Sequence, residues 1–306
     1  MAEEEVPDHK KSVLRSFREK NTTDNDQWRA AQRRMGSMEA PAAIGFGSPS
    51  PRRKINRPRT VVWFSCGASS AVAAKLAIAK GPCEIVYTDP GSEHEDNFRF
   101  LHDCEEWFGQ EVTVLKSDRY KDTWDVFEQT RFLAGPDGAR CTAELKRRLR
   151  YEFMRPTDRQ IFGYTFEEKK RAADFVERNP GEVFWWNLIE MGLTKSDCLA
   201  MIDRAGIKLP IMYDLGYDHN NCIGCVKGKM GYWNKIRVDF PETFDRMARL
   251  ERTIGHAINS EEITEGSRVK SPVFLDELDP KRGNFKTEPV IQCGPMCEIA
   301  EETING

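Results

Sequence analysis

From Thr60 onward the chain alternates short apolar runs with longer stretches whose apolar positions recur at helical spacing. Thr60 to Phe64 (TVVWF) is rich in β-branched and aromatic side chains and reads as a buried strand, and Glu84 to Thr88 and Val112 to Lys116 read as further strands. The Ala-rich run Ser70 to Lys80, then Glu95 to Phe108 and a stretch around Trp124 to Thr130, read as the helices that follow them. A helix over Thr142 to Phe153, a strand over Gln160 to Tyr164 and a helix over Phe166 to Asn179 continue the alternation. This pattern predicts an α/β fold: a mostly parallel sheet with helices on both faces, and ligands at the carboxyl ends of the strands where strand order reverses.

Past residue 180 the alternation gives way to a mainly helical region. Val183 to Ile189 is bulky and apolar, Thr194 to Ala205 reads as a helix capped by Thr194 and Asp197, and Pro241 to Ile254 as a helix opened by its proline. Three parts follow, with boundaries at 1–59, 60–180 and 181–306. The first is polar and holds 13 of the 46 basic residues against 8 of the 49 acidic ones, a net charge near +5 on a body near −8. It reads either as a solvated, partly disordered leader or as an arm for nucleic acid or an acidic partner, using Arg52, Arg53, Lys54, Arg57 and Arg59. No apolar run approaches a membrane span, and the acidic start MAEEEVPDHKK lacks a secretory apolar region, so a cytoplasmic protein with no membrane partner is expected.

Chemistry concentrates first in Ser65-Cys66-Gly67-Ala68-Ser69-Ser70, between a strand and a helix. Such a turn leaves the first N–H groups of the helix unpaired at one spot, where the macrodipole favours an anion, and this suits a phosphate. Gly67 admits close approach, and the three serines add hydroxyls without bulk. The same residues would also serve as a plain tight turn with an N-cap serine.

Nine cysteines in a reducing compartment point to metal or redox groups where they cluster. Cys222 and Cys225 flank Gly224, and Cys293 and Cys297 flank a Gly294-Pro295 turn, so four thiolates from two loops can close on one metal. The spacing leaves zinc, an iron–sulfur cluster and unliganded thiols open. Cys66, Cys83, Cys104 and Cys198 read as small core residues. Lys227, Lys229, Tyr232, Trp233, Lys235 and Arg237 read either as a polyanion surface with bases stacked on the rings or as a solvated helix face with Trp233 in the core. Lys146, Arg147, Arg148 and Arg150 raise the same alternative.

Several of these stretches together resemble one family. The serine loop is similar to the PP-loop, SGGxDS, of the ATP pyrophosphatases and sulfonucleotide reductases, with Cys66 in place of the first glycine and Ser69 in place of the aspartate. Asp89-Pro90-Gly91-Ser92-Glu93 resembles the DTGxE element, Cys141-Thr142 with Lys146 the CTxxLK segment of phosphoadenylyl-sulfate (PAPS) reductases, and Gly163 to Arg171 their GxxxxES-type stretch. The resemblance spans roughly Thr60 to Arg171 and implies an adenine nucleotide α-hydrolase-like, Rossmann-like fold, with residues 60–180 as the nucleotide-binding domain. It implies that Ser65, Cys66, Gly67, Ala68, Ser69, Ser70, Asp89, Gly91, Glu93, Gly163 and Arg171 meet ATP or an adenylyl-sulfate nucleotide with Mg2+, and that Lys146 neutralises a phosphate. It also implies that Cys141 can join Cys222 and Cys225 around a [4Fe–4S] cluster, for which Zn2+ is the alternative, with Cys293 or Cys297 as fourth ligand.

The expected function is ATP-dependent sulfur transfer through an adenylated intermediate, drawing on a sulfur donor protein and acting on an acceptor that includes nucleic acid among its candidates. The alternative is adenylyl-sulfate or PAPS reduction, in which Cys293 of Ile291-Gln292-Cys293-Gly294 is the attacking thiolate. A third class is a nucleotide- or nucleic-acid-binding protein without turnover.

Overall fold

The computed structural model describes residues 58–135, 138–262 and 270–291. The leader up to residue 57 and the pair Cys293 and Cys297 lie outside the described residues. β1 (Thr60–Phe64) forms the middle of the central sheet, with all five residues buried. Successive strand side chains point to opposite faces, so Val62 and Phe64 enter one core and Val61 and Trp63 another. β2 (Glu84–Asp89) divides the same way, Ile85 and Tyr87 joining the first core and Val86 the second.

With β3 (Thr113–Lys116), β6 (Arg159–Phe162) and β7 (Val183–Phe184) they make a five-stranded sheet of order β3-β2-β1-β6-β7. All four pairings are parallel. A small hairpin, β4 (Ala134–Gly135) with β5 (Gly138–Ala139), lies apart from it. The α/β expectation holds, and both faces are covered as two-sided burial requires. α1 (Ala68–Ile78) and α2 (Asp96–Phe108) pack on the first face, where Ala71, Ala73, Ala74 and Ala77 let α1 approach closely. The second face takes Ala172 and Phe175 of the helix Lys169–Arg178, with Phe184 and Trp186 around Phe162.

Between the two stand α3 (Thr123–Thr130) and α4, which runs through Arg140–Thr142, Ala143–Arg147 and Arg148–Phe153 with a π-helical middle turn. The helix Lys169–Arg178 is α5; it follows a 3-10 turn, Phe166–Glu168, closed by a Thr165/Glu168 capping box. Further on come α6 (Asn187–Glu190), α7 (Lys195–Arg204), α8 (Ile211–Asp214), α9 (Met230–Asp239) and α10 (Pro241–Ile254). α7 packs on α1. α3, α9 and α10 enclose a third core with the hairpin of β8 (Asn259–Glu262) and β9 (Lys270–Val273) beside it. Among the described residues no helix is long and apolar enough to cross a membrane.

Several basic residues have structural partners. Tyr232 and Trp233 sit buried in the third core, which corrects the reading that stacks bases on their rings. Lys235 pairs with Asp239 at 2.8 Å, and Arg237 donates to the Leu278 carbonyl at 2.7 Å. Arg150 is buried against Phe162 and Phe175 and bonded to Gln160 and Glu182, and Arg148 pairs with Asp118 and Glu152. Arg59, grouped above with the leader, instead joins the body: it bonds Asp158 at 2.9 Å, Glu84 at 2.7 Å and the Phe153 carbonyl at 2.7 Å.

Candidate functional site: a cavity where strand order reverses

The chain builds β1, β2 and β3 to one side, then returns to place β6 on the other side of β1. Ligands of open parallel sheets bind at such a point, outside the carboxyl ends of the strands. A cavity of about 410 Å³ opens there. It is walled by Ser65 and Gly67 to Ser70 after β1, Gly163 to Thr165 after β6, Glu93 after β2 and Lys146 from the π turn of α4.

The loop wall is largely backbone. α1 begins at Ala68, two residues before the expected start, so Ser69 and Ser70 fall in its first turn. Gly67 is its N-cap and supplies no side-chain cap, and with the Ala68 N–H met by the Tyr213 hydroxyl, the N–H groups of Ser69 and Ser70 remain for the cavity side. Ser70 Oγ is committed to the loop itself, donating to the Gly67 carbonyl and accepting from Ser65 N–H, each at 3.0 Å. Ser65 is exposed, its hydroxyl 3.0 Å from that of Ser70. Ser69 faces the Cys198 thiol of α7, which burial pushes up to about 12. Tyr213 of α8 brings its hydroxyl to the Ala68 N–H, and burial raises that phenol to about 12. Cys66 is buried at a φ of 51°, in the left-handed region. The cysteine therefore adopts a backbone angle that favours glycine, and its thiol is pushed well up by burial and by Glu93. At Gly163 a Cβ would lie 2.6 Å from the Ser70 nitrogen, so this glycine serves the close approach of the β6 exit to α1.

Beneath the loop runs a buried polar network. Lys146 Nζ meets Glu93 Oε1 at 3.2 Å, both side chains being under a tenth exposed. Glu93 Oε2 accepts from the Tyr87 hydroxyl at 2.7 Å and from Asn97 Nδ2 at 2.6 Å. Burial and the Glu93 charge hold the Tyr87 phenol far above its ordinary range. Asn220 Nδ2 then donates to Asn97 Oδ1 at 2.6 Å and to the Cys66 carbonyl at 2.7 Å.

Another part of the lining carries charge. Arg171 lies over the Tyr164 ring at 4.4 Å and pairs with Glu168 at 2.7 Å. Lys195 bonds the Asp218 carbonyl, and burial lowers its ammonium below the usual lysine value. His219 lines the cavity beside both, and burial together with the Lys195 and Arg171 charges lowers its imidazole to about 3. Glu167, Glu168 and Asp218 line the same wall. Lys195, Tyr213, His219 and Asn220 were not singled out by the sequence. For His219 and Asn220 the one signal is the polar run Asp218 to Asn221 just before the first cysteine of the pair.

Of the sequence candidates, Ser65, Gly67, Ala68, Ser69, Ser70, Glu93, Lys146, Gly163 and Arg171 line the cavity. Cys66 is held behind the loop. Asp89 and Gly91 shape the turn beyond β2 instead: Asp89 accepts from Gly91 N–H at 2.8 Å and pairs with Lys116 at 3.0 Å, and Gly91 has a φ of 66°. A Cβ on Gly91 would meet the Lys121 carbonyl at 2.5 Å. Cys141, Cys222 and Cys225 line a separate cavity of about 10 Å³, with Thr142 and Lys227. The Tyr232 hydroxyl holds that cysteine turn, accepting from Gly224 N–H at 3.1 Å and Cys225 N–H at 2.9 Å. Among the described residues no group of three or more His, Cys, Asp or Glu is arranged to hold a metal ion.

No model of a known protein family matches the chain. It is 24% identical over 233 residues to an uncharacterized protein of Methanocaldococcus jannaschii, a match covering 69% of this chain and 44% of that protein. The chain thus spans under half the length of this curated relative. Among solved structures it is similar to a phosphoadenylyl-sulfate (PAPS) reductase from Candida auris in a phosphate complex, with a TM-score of 0.43, 12% identity and coverage of 55% of this chain and 83% of that one.

Proposed function

We propose that the chain binds an adenine nucleotide in the cavity beside β1 and uses it for ATP-dependent sulfur transfer to an acceptor through an adenylated intermediate. The observation that supports this is the junction of the α1 N-terminus, whose N-cap Gly67 supplies no side chain, with a roomy cavity that also presents Lys146, Arg171 and Lys195. The volume of about 410 Å³ lies in the range of small-molecule sites. First-turn N–H groups and Ser65 would take the phosphates, and Lys146, Arg171 and Lys195 would offset their charge together with Mg2+ carried by the nucleotide. An acceptor oxygen attacks the α-phosphorus and pyrophosphate leaves, its developing charge met by the same backbone donors. A sulfur nucleophile then displaces AMP from the adenylated acceptor.

Among the described residues, Cys141, Cys222 and Cys225 are the thiols that would hold a cluster or zinc ion of the kind the resemblance implies. Their cavity, about 10 Å³, matches a single water-sized occupant, and the described thiols do not by themselves make a metal centre. The proposed steps draw on no metal there. The reading is tested by calorimetric titration with ATP and by assaying pyrophosphate release with sulfide as sulfur source. ATP binding with pyrophosphate release that depends on an acceptor is the expected result. Sulfite production from adenylyl sulfate without pyrophosphate would put the reductase reading in its place, and failure of the chain to bind either nucleotide would end both.

A further inference from the structure

Cys66 and Arg131 are the non-glycine residues with positive φ among the described residues, and Cys66 stands in the phosphate-facing loop. A residue with a side chain is strained in that conformation, so something outside the loop must hold it there. Ser70 secures the next peptide, at the Gly67 carbonyl, and the Cys66 carbonyl is taken by Asn220. The orientation of that amide is fixed from both ends. Its Nδ2 faces two acceptors, Cys66 O and Asn97 Oδ1, and Asn97 is oriented in turn by donating its own Nδ2 to Glu93. The consequence is that Asn220 Oδ1 is buried without a partner among the described residues. An unpaired buried acceptor is destabilising, so stability alone does not account for an asparagine at this place.

We propose that Asn220 is a positioning residue for nucleotide binding, its amide holding Cys66 in the left-handed turn that a glycine would adopt unaided. Fixing the Cys66 carbonyl fixes the Cys66–Gly67 peptide plane, and with it the direction of the first donors of α1. The clamp also links two sites. Asn220 is carried on the cysteine turn, which is seated by the Tyr232 hydroxyl and by Ile223 N–H on the Ser92 carbonyl at 3.0 Å. Nucleotide affinity therefore responds to how the Cys222–Cys225 turn is seated. This inference rests on the nucleotide reading of the cavity, but the clamp itself can be tested without a ligand.

The experiment is a double-mutant cycle of Asn220→Ala and Cys66→Gly in the full chain, read by ATP titration and by the urea midpoint of unfolding. Asn220→Ala is expected to weaken ATP roughly tenfold, Cys66→Gly alone to stay within about twofold of wild type, and the double variant to recover to within about threefold. In urea, Cys66→Gly should raise the midpoint more in the Asn220→Ala background than in wild type. Additive midpoints would overturn the clamp, even in a protein that bound no ATP, an outcome that would separately sink the nucleotide reading. An Asn220→Ala protein that binds ATP like wild type would overturn the positioning role. For the link, Tyr232→Phe should weaken ATP in the Cys66 protein and spare the Cys66→Gly protein; equal weakening in both would remove it.

Discussion

The two walls of the cavity are built by different means. The loop wall consists of consecutive residues, Ser65 to Ser70, and offers backbone N–H groups and hydroxyls without a formal charge. The charged wall assembles Arg171, Lys195 and His219 from three separate places in the chain, interleaved with Glu167, Glu168 and Asp218. A wall made of backbone is set by local conformation, while a wall made of charged side chains exists only once α5, α7 and the segment after α8 have packed. Substitutions in the first should therefore act on binding with little effect on folding, and those in the second on binding, titration and folding together.

The buried floor that joins the walls should give the largest effect. Lys146→Ala leaves the Glu93 carboxylate buried with hydroxyl and amide donors but without its cation. Removing one member of a buried pair costs about 3–5 kcal/mol, read as a lowered urea midpoint. The double variant Lys146→Met with Glu93→Gln should regain most of that loss, since no charge is then stranded. An unchanged midpoint in Lys146→Ala would mean that the pair does not hold the walls together.

Next comes the loop wall. At Gly67 a Cβ meets nothing closer than the Tyr213 hydroxyl at 3.5 Å, and the residue has an ordinary extended φ of −118°. Gly67→Val should therefore fold normally while its branches occupy the space above the α1 N-terminus. ATP affinity is expected to fall by about a hundredfold or more with the melting temperature unchanged. Unaltered affinity would place the phosphates elsewhere.

The same contrast accounts for what could be read from the sequence. β1, the serine loop and α1 are contiguous, so the apolar run, the small residues and the Ala-rich helix announce themselves within one window. Even there, the left-handed angle at Cys66 was hidden, because the residue that stabilises it, Asn220, is remote in sequence. Arg150 sits in a basic run that looks like surface, and only tertiary packing shows that it is buried and decides for the core between the two readings of Trp233. Lys195 reads as one more helix-opening lysine until α7 is docked on α1 beside the cavity. Asp89 and Gly91 show the converse: a motif-like turn after β2 whose members are occupied in shaping the turn while Glu93 alone faces the cavity.

On the charged wall, Lys195→Met keeps the length of the side chain and removes its charge. Burial disfavours that charge while the bond to the Asp218 carbonyl and the nearby acids favour it, so its removal acts on folding through two opposed contributions. The variant's ATP affinity should drop roughly tenfold at low salt, with a shallower dependence on ionic strength than wild type. Loss of affinity with an unchanged salt dependence would point to a packing effect and weaken the contrast between the walls.

The smallest effect concerns pH, and His219 carries it. Its folded imidazole titrates near 3 against 6.5 for the free side chain, because burial and the neighbouring Lys195 and Arg171 oppose a third positive charge. Between those values the unfolded chain binds a proton that the folded chain refuses, so stability declines as pH falls below about 6.5. By pH 5 the loss is on the order of 1–2 kcal/mol, visible as a lower melting temperature at constant ionic strength. His219→Asn, which cannot titrate, should flatten this part of the profile, whereas Gly67→Val on the other wall should leave its slope intact. A bound nucleotide changes the sign of the local charge: phosphates facing Lys195 and Arg171 offset the field that keeps His219 neutral and raise its pKa. ATP should accordingly protect wild type against acid more than it protects His219→Asn, and equal protection of the two would show that the phosphates do not reach the charged wall.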